Sequence, residues 1–156
     1  MEITLDKIDL QILNIIQANA KISNADLAKE VKMAPSAVLE RVRKLEQKEV
    51  IKGYTTQIDP LAVKQTMLAF IFIRTSVGFA CSTNAATLLA ALPEVQEVHH
   101  IAGEDCFLIK VRTADSASLM RLMRDELRKI PEVSSTKTTI VLETVKEQQQ
   151  LIIPND

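Results

Sequence analysis

The chain has 156 residues, 47% hydrophobic and 25% charged, which excludes a disordered or fibrous polymer and leaves room for one large domain or two small ones. Its formal net charge of −1 supplies no bulk attraction to a polyanion, so any nucleic-acid binding must rest on where the charges lie rather than on their sum. The longest apolar run, residues 67–73, is too short to span a bilayer, and no basic segment followed by an apolar stretch opens the chain; we expect a cytoplasmic protein with no membrane partner.

The first third reads as three helices. Leu5, Ile8, Ile12, Ile15 and Ile16 recur at helical spacing after Thr4, with Asp6 and Asp9 in the early turns, where carboxylates meet the positive end of the helix dipole. A second, short helix is expected from Ser23, whose hydroxyl can cap it, with Asp26 three residues on and Leu27, Ala28 and Val31 as its apolar side. Lys32, Met33 and Ala34 form a tight connection, and Pro35 suits the first position of a third helix, where its missing N–H has no partner in any case. That helix should reach about residue 47, with Val38, Val42 and Leu45 as its buried stripe. At about 100° per residue, Ser36, Glu40, Arg43 and Gln47 fall opposite that stripe, with Lys44 nearby. Arg41 falls closer to the buried edge, where it either contacts phosphate or pairs with a carboxylate of a neighbouring helix. Residues 32–52 hold six basic side chains against three acidic ones, so positive charge is concentrated here although the whole chain is nearly neutral.

After Gly53 the pattern changes to a period of two, and Asp59 with Pro60 punctuates the chain; residues 53–65 are expected to be a linker strand between a domain at 1–52 and another at 66–156. From residue 67 the pattern is strand, helix, strand, strand, helix, strand. The first strand, 67–77, is apolar on both faces, Ala69, Ile71 and Ile73 on one and Leu68, Phe70 and Phe72 on the other. Helices on one side cannot bury both, so a second subunit is the simplest cover. Ala85, Leu88, Leu89 and Leu92 mark a helix ending near Pro93. Strands at 95–101 and 106–113 flank a hairpin-length loop, Ala102, Gly103, Glu104 and Asp105. Leu119, Leu122, Met123, Leu127 and Ile130 mark a second helix stopping at Pro131, and a last strand should run from 133 to about 145. The order βαββαβ gives a four-stranded antiparallel sheet with two helices on one face, the ferredoxin-like arrangement. The fold class expected is therefore α+β, a winged helix-turn-helix followed by a ferredoxin-like domain.

Three short helices with a tight connection before a third that exposes a basic face describe a helix-turn-helix. The stretch LDKIDLQILNIIQANAKISNADLAKEVKMAPSAVLERVRKLEQKEVIKGYTTQIDP resembles the N-terminal domain of the Lrp/AsnC regulators, the leucine-responsive regulatory protein family, and the second half, with its IAGEDCFLIKVR hairpin, is similar to that family's regulatory domain. The resemblance covers nearly the whole chain in the right order. It implies a third helix set in the major groove of double-stranded DNA, a homodimer presenting two such helices, assembly of dimers into a tetramer or octamer, and a small-molecule effector, an amino acid by class. By position, Pro35, Ser36 and Arg41 match the family's recognition-helix pattern, Lys21 stands where an arginine is usual, and Gly103 matches the glycine of the regulatory hairpin, a loop that in relatives lies between dimers and helps hold the effector. The DNA-contacting set expected is Lys21, Ser23, Asn24, Pro35, Ser36, Ala37, Glu40, Arg41, Arg43, Lys44 and Lys52. The effector set expected is Ala102, Gly103, Glu104, Asp105, Cys106 and Thr136. Three positions depart from the family pattern: Ala34 where a serine cap is usual, Glu49 where a glycine is common, and Cys106 where many relatives have an aspartate, with Asp105 one residue earlier.

Lys21, Arg43, Lys44 and Lys52 would supply salt-sensitive phosphate attraction, while Ser36, Glu40 and Arg43 are placed to read base edges. No P-loop, GxGxxG or GxSxG motif is present, so neither catalysis nor a cofactor is expected. His99 and His100 point to opposite faces of a strand; a metal site joining His99 to Asp105 or Cys106 is the weaker alternative to a structural histidine, and no metal is expected. Cys81 and Cys106 stand alone rather than as a CxxC pair and read as small, partly buried thiols. The rival to an effector-responsive regulator is a DNA-architectural protein of the same fold that needs no effector.

Overall fold

Asp6 starts the first helix. Its carboxylate accepts the Asp9 N–H at 2.8 Å while the Asp9 carboxylate accepts the Asp6 N–H at 3.2 Å, and this reciprocal box opens α1 (Lys7–Ala18) at Lys7 rather than directly after Thr4. The structure, a computed structural model, describes residues 4–76 and 83–154; Val77 and Cys81 lie outside them. In α2 (Asn24–Glu30) the Ser23 hydroxyl accepts the Asp26 N–H at 3.1 Å and donates to the Asp26 carboxylate at 2.7 Å, as the sequence leads one to expect. The helix closes with Lys32 in a left-handed conformation (φ 55°), the Met33 N–H reaching Ala28 O at 3.0 Å and the Lys32 N–H reaching Lys29 O at 3.3 Å, a Schellman closure. That tight reversal launches α3 (Pro35–Gln47), with Pro35 in its first turn and no side-chain cap from Ala34. The same closure ends α3, now with Glu49 left-handed (φ 56°) and the Val50 N–H on Leu45 O at 2.9 Å.

Ile12 and Ile16 of α1, Leu27 and Ala28 of α2, and Val38, Val42 and Leu45 of α3 are buried together in one core. Residues 1–57 and 146–156 form this unit, so the end of the chain returns to it. Gln17 holds the returning segment: its side chain donates to Leu151 O at 2.8 Å and accepts the Leu151 N–H at 3.1 Å, while the Gln150 amide donates to Gln17 O at 3.1 Å. The described residues 146–154 pack with this unit, whereas the expected second domain runs from 66 to 156.

Residues 58–145 form the second unit. Strands β1 (Met67–Thr75), β2 (Val95–His100), β3 (Phe107–Thr113) and β4 (Val133–Ile140) pair antiparallel in the order β2-β3-β1-β4. The Ala69, Ile71 and Ile73 face of β1 is fully buried against α4 (Thr83–Ala90), through Ala85 and Leu89, and against α5 (Ser116–Arg121), through Leu119. On the other face Leu68 is buried, while Phe70 and Phe72 are only half-buried. There the Lys137 ammonium sits 5.8 Å from the Phe72 ring centre, and Glu97 bridges His99 at 3.0 Å and Lys110 at 3.1 Å.

Six expected elements change. The linker strand at 53–65 is no strand: its alternating pattern meets no partner strand among the described residues, and residues 60–64 form a turn. β1 ends at Thr75 and β4 at Ile140, short of the expected 77 and 145, and β2 and β3 leave Ile101 and Cys106 to the loop. The second long helix is not regular; a π turn, Leu122–Glu126, and a 3₁₀ turn, Leu127–Lys129, follow α5. In α geometry Leu127 would point about 140° away from Leu122. The Leu127 N–H instead bonds to Leu122 O, an i→i+5 closure that brings both leucines into the core.

Candidate nucleic-acid interface and hairpin site

The core-facing stripe of α3 fixes its rotation, and rotation decides which side chains can meet DNA. Ser36, Glu40, Arg43, Lys44 and Gln47 are exposed on the far side, as are Lys21, Ser23 and Asn24 at the start of α2 and Lys52 beyond α3. Pro35 is exposed at the head of α3, whereas Ala37 turns toward α1 and is half-buried. Arg43, Lys21 and Lys52 form no ion pair among the described residues, so their charge faces solvent undiminished. Lys44 instead pairs with Glu40 at 2.7 Å, and the ammonium holds the Glu40 carboxyl below the usual range. Ser23 is committed to capping α2, so its hydroxyl offers DNA only its remaining lone pair.

Arg41 is the member of the set that the structure sends elsewhere. Its Nη1 donates to Asp6 Oδ2 and to Asp9 Oδ1, both at 2.7 Å, and its side chain is 29% exposed. The Asp9 N–H and then the Arg41 guanidinium hold the Asp6 carboxyl low, and both aspartates in turn raise Arg41 above its ordinary value. Of the two alternatives open from the sequence, the pairing across helices is realised. A shallow cavity of about 350 Å³ between α1 and α3, lined by Asp9, Ala37, Arg41 and Lys44 among others, lies beside it.

In the second unit the loop between β2 and β3 gathers part of the expected effector set. Gly103 turns it at φ +153°, a conformation that favours glycine. Cys106 is 5% exposed: its N–H donates to Ile73 O at 2.8 Å and its Sγ lies 3.1 Å from Thr75 Oγ1, so the side chain belongs to the core. The charge of the loop is carried by Glu104, which is exposed, and Asp105, which is half-buried, and Arg74 meets both, Nη2 to Glu104 at 3.1 Å and Nε to Asp105 at 3.4 Å. Arg74 is absent from the set read from sequence; the signal available was a single cation interrupting the apolar alternation of β1. Thr136 sits across from Ile73 on β4 and lines a separate depression of about 380 Å³ with Met120, Met123, Arg124 and Arg128. His99 is engaged with Glu97, while the His100 ring lies 5.3 Å from that of Phe107. Among the described residues no three His, Cys, Asp or Glu side chains group as metal ligands.

Comparison with known proteins agrees with both units. The family model described as winged helix-turn-helix DNA-binding matches residues 5–52, and that described as Lrp/AsnC ligand binding domain matches residues 68–151. The leucine-responsive regulatory protein of Haemophilus influenzae is 38% identical over 152 residues, 96% of this chain and 90% of that protein. Among solved structures, Escherichia coli AsnC superposes with a TM-score of 0.85 at 28% identity, covering 97% of this chain and 100% of that one. A transcriptional regulator of Neisseria meningitidis in complex with L-Met superposes with a TM-score of 0.85 at 26% identity, covering 96% and 97%. These relatives are regulators rather than enzymes, and with a helix-turn-helix that exposes its basic face joined to a ligand-binding domain, this chain belongs to the Lrp/AsnC family of DNA-binding transcriptional regulators.

Proposed function

We propose that the chain binds double-stranded operator DNA sequence-specifically on the nucleoid, in the cytoplasm, and that an amino acid held at the 102–106 hairpin alters how homodimers assemble into tetramers or octamers. The observation that carries the DNA reading is the division of α3: Val38, Val42 and Leu45 are buried while Ser36, Glu40, Arg43 and Lys44 stand exposed on one continuous face. Lys21, Arg43, Lys44 and Lys52 attract phosphate, and Ser36 and Arg43 reach base edges. Glu40, latched to Lys44, is released to a base only when Lys44 transfers to a phosphate. The uncovered Phe70 and Phe72 face of the sheet supports the dimer, and the relative solved with L-Met supports the ligand class. A ligand shifts such an assembly only through a difference in its affinity for the two states.

In an operator titration, Arg43→Ala is expected to lower affinity about 10-fold or more and to flatten the salt dependence. Unchanged affinity removes Arg43 from the interface. The burial of Cys106 favours a second reading, an effector-independent architectural protein. Light scattering with an amino-acid panel separates the two: a ligand-dependent mass supports the sensor, and a mass unaffected by every ligand supports the architectural protein.

A further inference from the structure

The hairpin is stitched to the end of β1 by Cys106, whose backbone and thiol engage Ile73 and Thr75. That stitch sets Glu104 and Asp105 beside Arg74. Arg74 is itself held from behind: the Ser134 hydroxyl donates to its carbonyl at 3.0 Å, at an irregularity in the β1–β4 pairing. A guanidinium has five N–H donors in a rigid fork. Here one N–H of Nη2 serves Glu104 and Nε faces Asp105, which leaves three N–H groups, both on Nη1 and the second on Nη2, without a hydrogen bond among the described residues. The Arg74 side chain is 47% exposed and that of Asp105 is 26% exposed, so a ligand can reach the cation while the anion beside it is largely sheltered.

We infer that Arg74 and Asp105 form a zwitterion receptor, Asp105 taking the α-ammonium of an amino acid and the open edge of Arg74 its α-carboxylate. This rests on the reading of the hairpin as the effector site and adds to it a specificity-determining residue. Opposite charges carried on the same α-carbon of one ligand match opposite charges in contact on the protein. A planar fork, here one N–H of Nη1 beside the remaining N–H of Nη2, is the geometry that favours a carboxylate over a neutral amide. With Cys106 turned into the core, the acidic partner moves one residue back, to Asp105, and Arg74 holds that carboxylate in place until the ligand arrives.

The test is calorimetric titration of the full-length protein with the protein amino acids, then with the α-carboxamide of whichever binds. The wild type should prefer the acid to its amide by about 10- to 100-fold, the range of a charge-assisted hydrogen bond. Arg74→Gln should bind both alike, and Arg74→Lys, which keeps the charge without the fork, should recover part of the preference. An acid preference that survives in Arg74→Gln with the protein folded, or tighter binding of the acid by that variant, overturns the assignment of Arg74 alone. Binding of no amino acid to the wild type overturns the effector reading of the hairpin and this assignment with it.

Discussion

Arg41→Ala separates a residue that builds the DNA-binding unit from one that touches DNA. The guanidinium spans α1 and α3 through two 2.7 Å bonds, one to Asp6, half exposed, and one to Asp9, whose side chain is 17% exposed. The bond to Asp6 is discounted as a surface pair, about 0.5 kcal/mol. The bond to Asp9 is a more sheltered charged hydrogen bond, about 1.5 kcal/mol, and its loss leaves a half-buried carboxylate without its cation. The sum is about 2 kcal/mol, which in a unit of this size lowers the melting temperature by about 8 to 16 °C. Tyr54 is the chain's one tyrosine and there is no tryptophan, so intrinsic fluorescence reports this unit selectively. The Asp6 carboxyl, depressed in the folded state, contributes stability that is present above its unfolded value and lost as pH falls through the folded one. Arg41→Ala should therefore also show a shallower acid loss, with the share owed to the Asp9 N–H retained. Operator affinity measured well below the melting transition should change less than about 3-fold, against about 10-fold or more for Arg43→Ala. An unchanged melting temperature together with a 10-fold loss of DNA affinity would refute the structural role and return Arg41 to the phosphate contacts.

Glu49→Gly should stabilise the same unit by about 0.5 to 1 kcal/mol: relieving a left-handed φ of 56° is worth about 1 to 2 kcal/mol, and the added freedom of glycine in the unfolded chain takes back about half to one; Glu49→Ala, melted alongside, should show no gain. The Tyr54 phenol, pushed up to about 12 from 10.0 by burial and by its 2.8 Å bond to Glu46, contributes stability that is lost as pH rises from about 10 toward 12; ultraviolet titration should place its ionisation near 12, and lower in Glu46→Gln. Phe72→Glu sets a carboxylate in the uncovered sheet face and should dissociate the assembly, read as a fall in mass by light scattering; an unchanged mass places the subunit contact on another surface.

Much of the fold was legible because its signals are local. Ser23 caps α2 three residues from its partner, Pro35 opens α3, and Val38, Val42 and Leu45 share a face because the helix repeats every 3.6 residues. The strand order followed from apolar spacing, and the exposed face of α3, with the candidate DNA residues on it, followed from its buried one. The linker strand was misread because alternation describes a segment that can pair, and whether a partner exists is not a local property. The π turn was missed because only the shared core, which needs both Leu122 and Leu127, selects an i→i+5 closure over the regular helix. At the hairpin, the pattern ends the loop at Asp105 and starts the strand at Cys106, but which of them faces solvent depended on the bonds to Ile73 and Thr75.

The amino-acid sequence by itself determined the cap of α2, the start of α3, the βαββαβ order and the rotation of α3, since each is set by residues close to one another along the chain. Only the tertiary structure decided that Arg41 serves Asp6 and Asp9, that Arg74 meets Glu104 and Asp105, and that Gln17 clasps Leu151, partners between 30 and 134 positions apart. Such pairs are chosen when buried stripes dock and strands fix their register, and polar side chains then bond to whatever that packing has brought within reach.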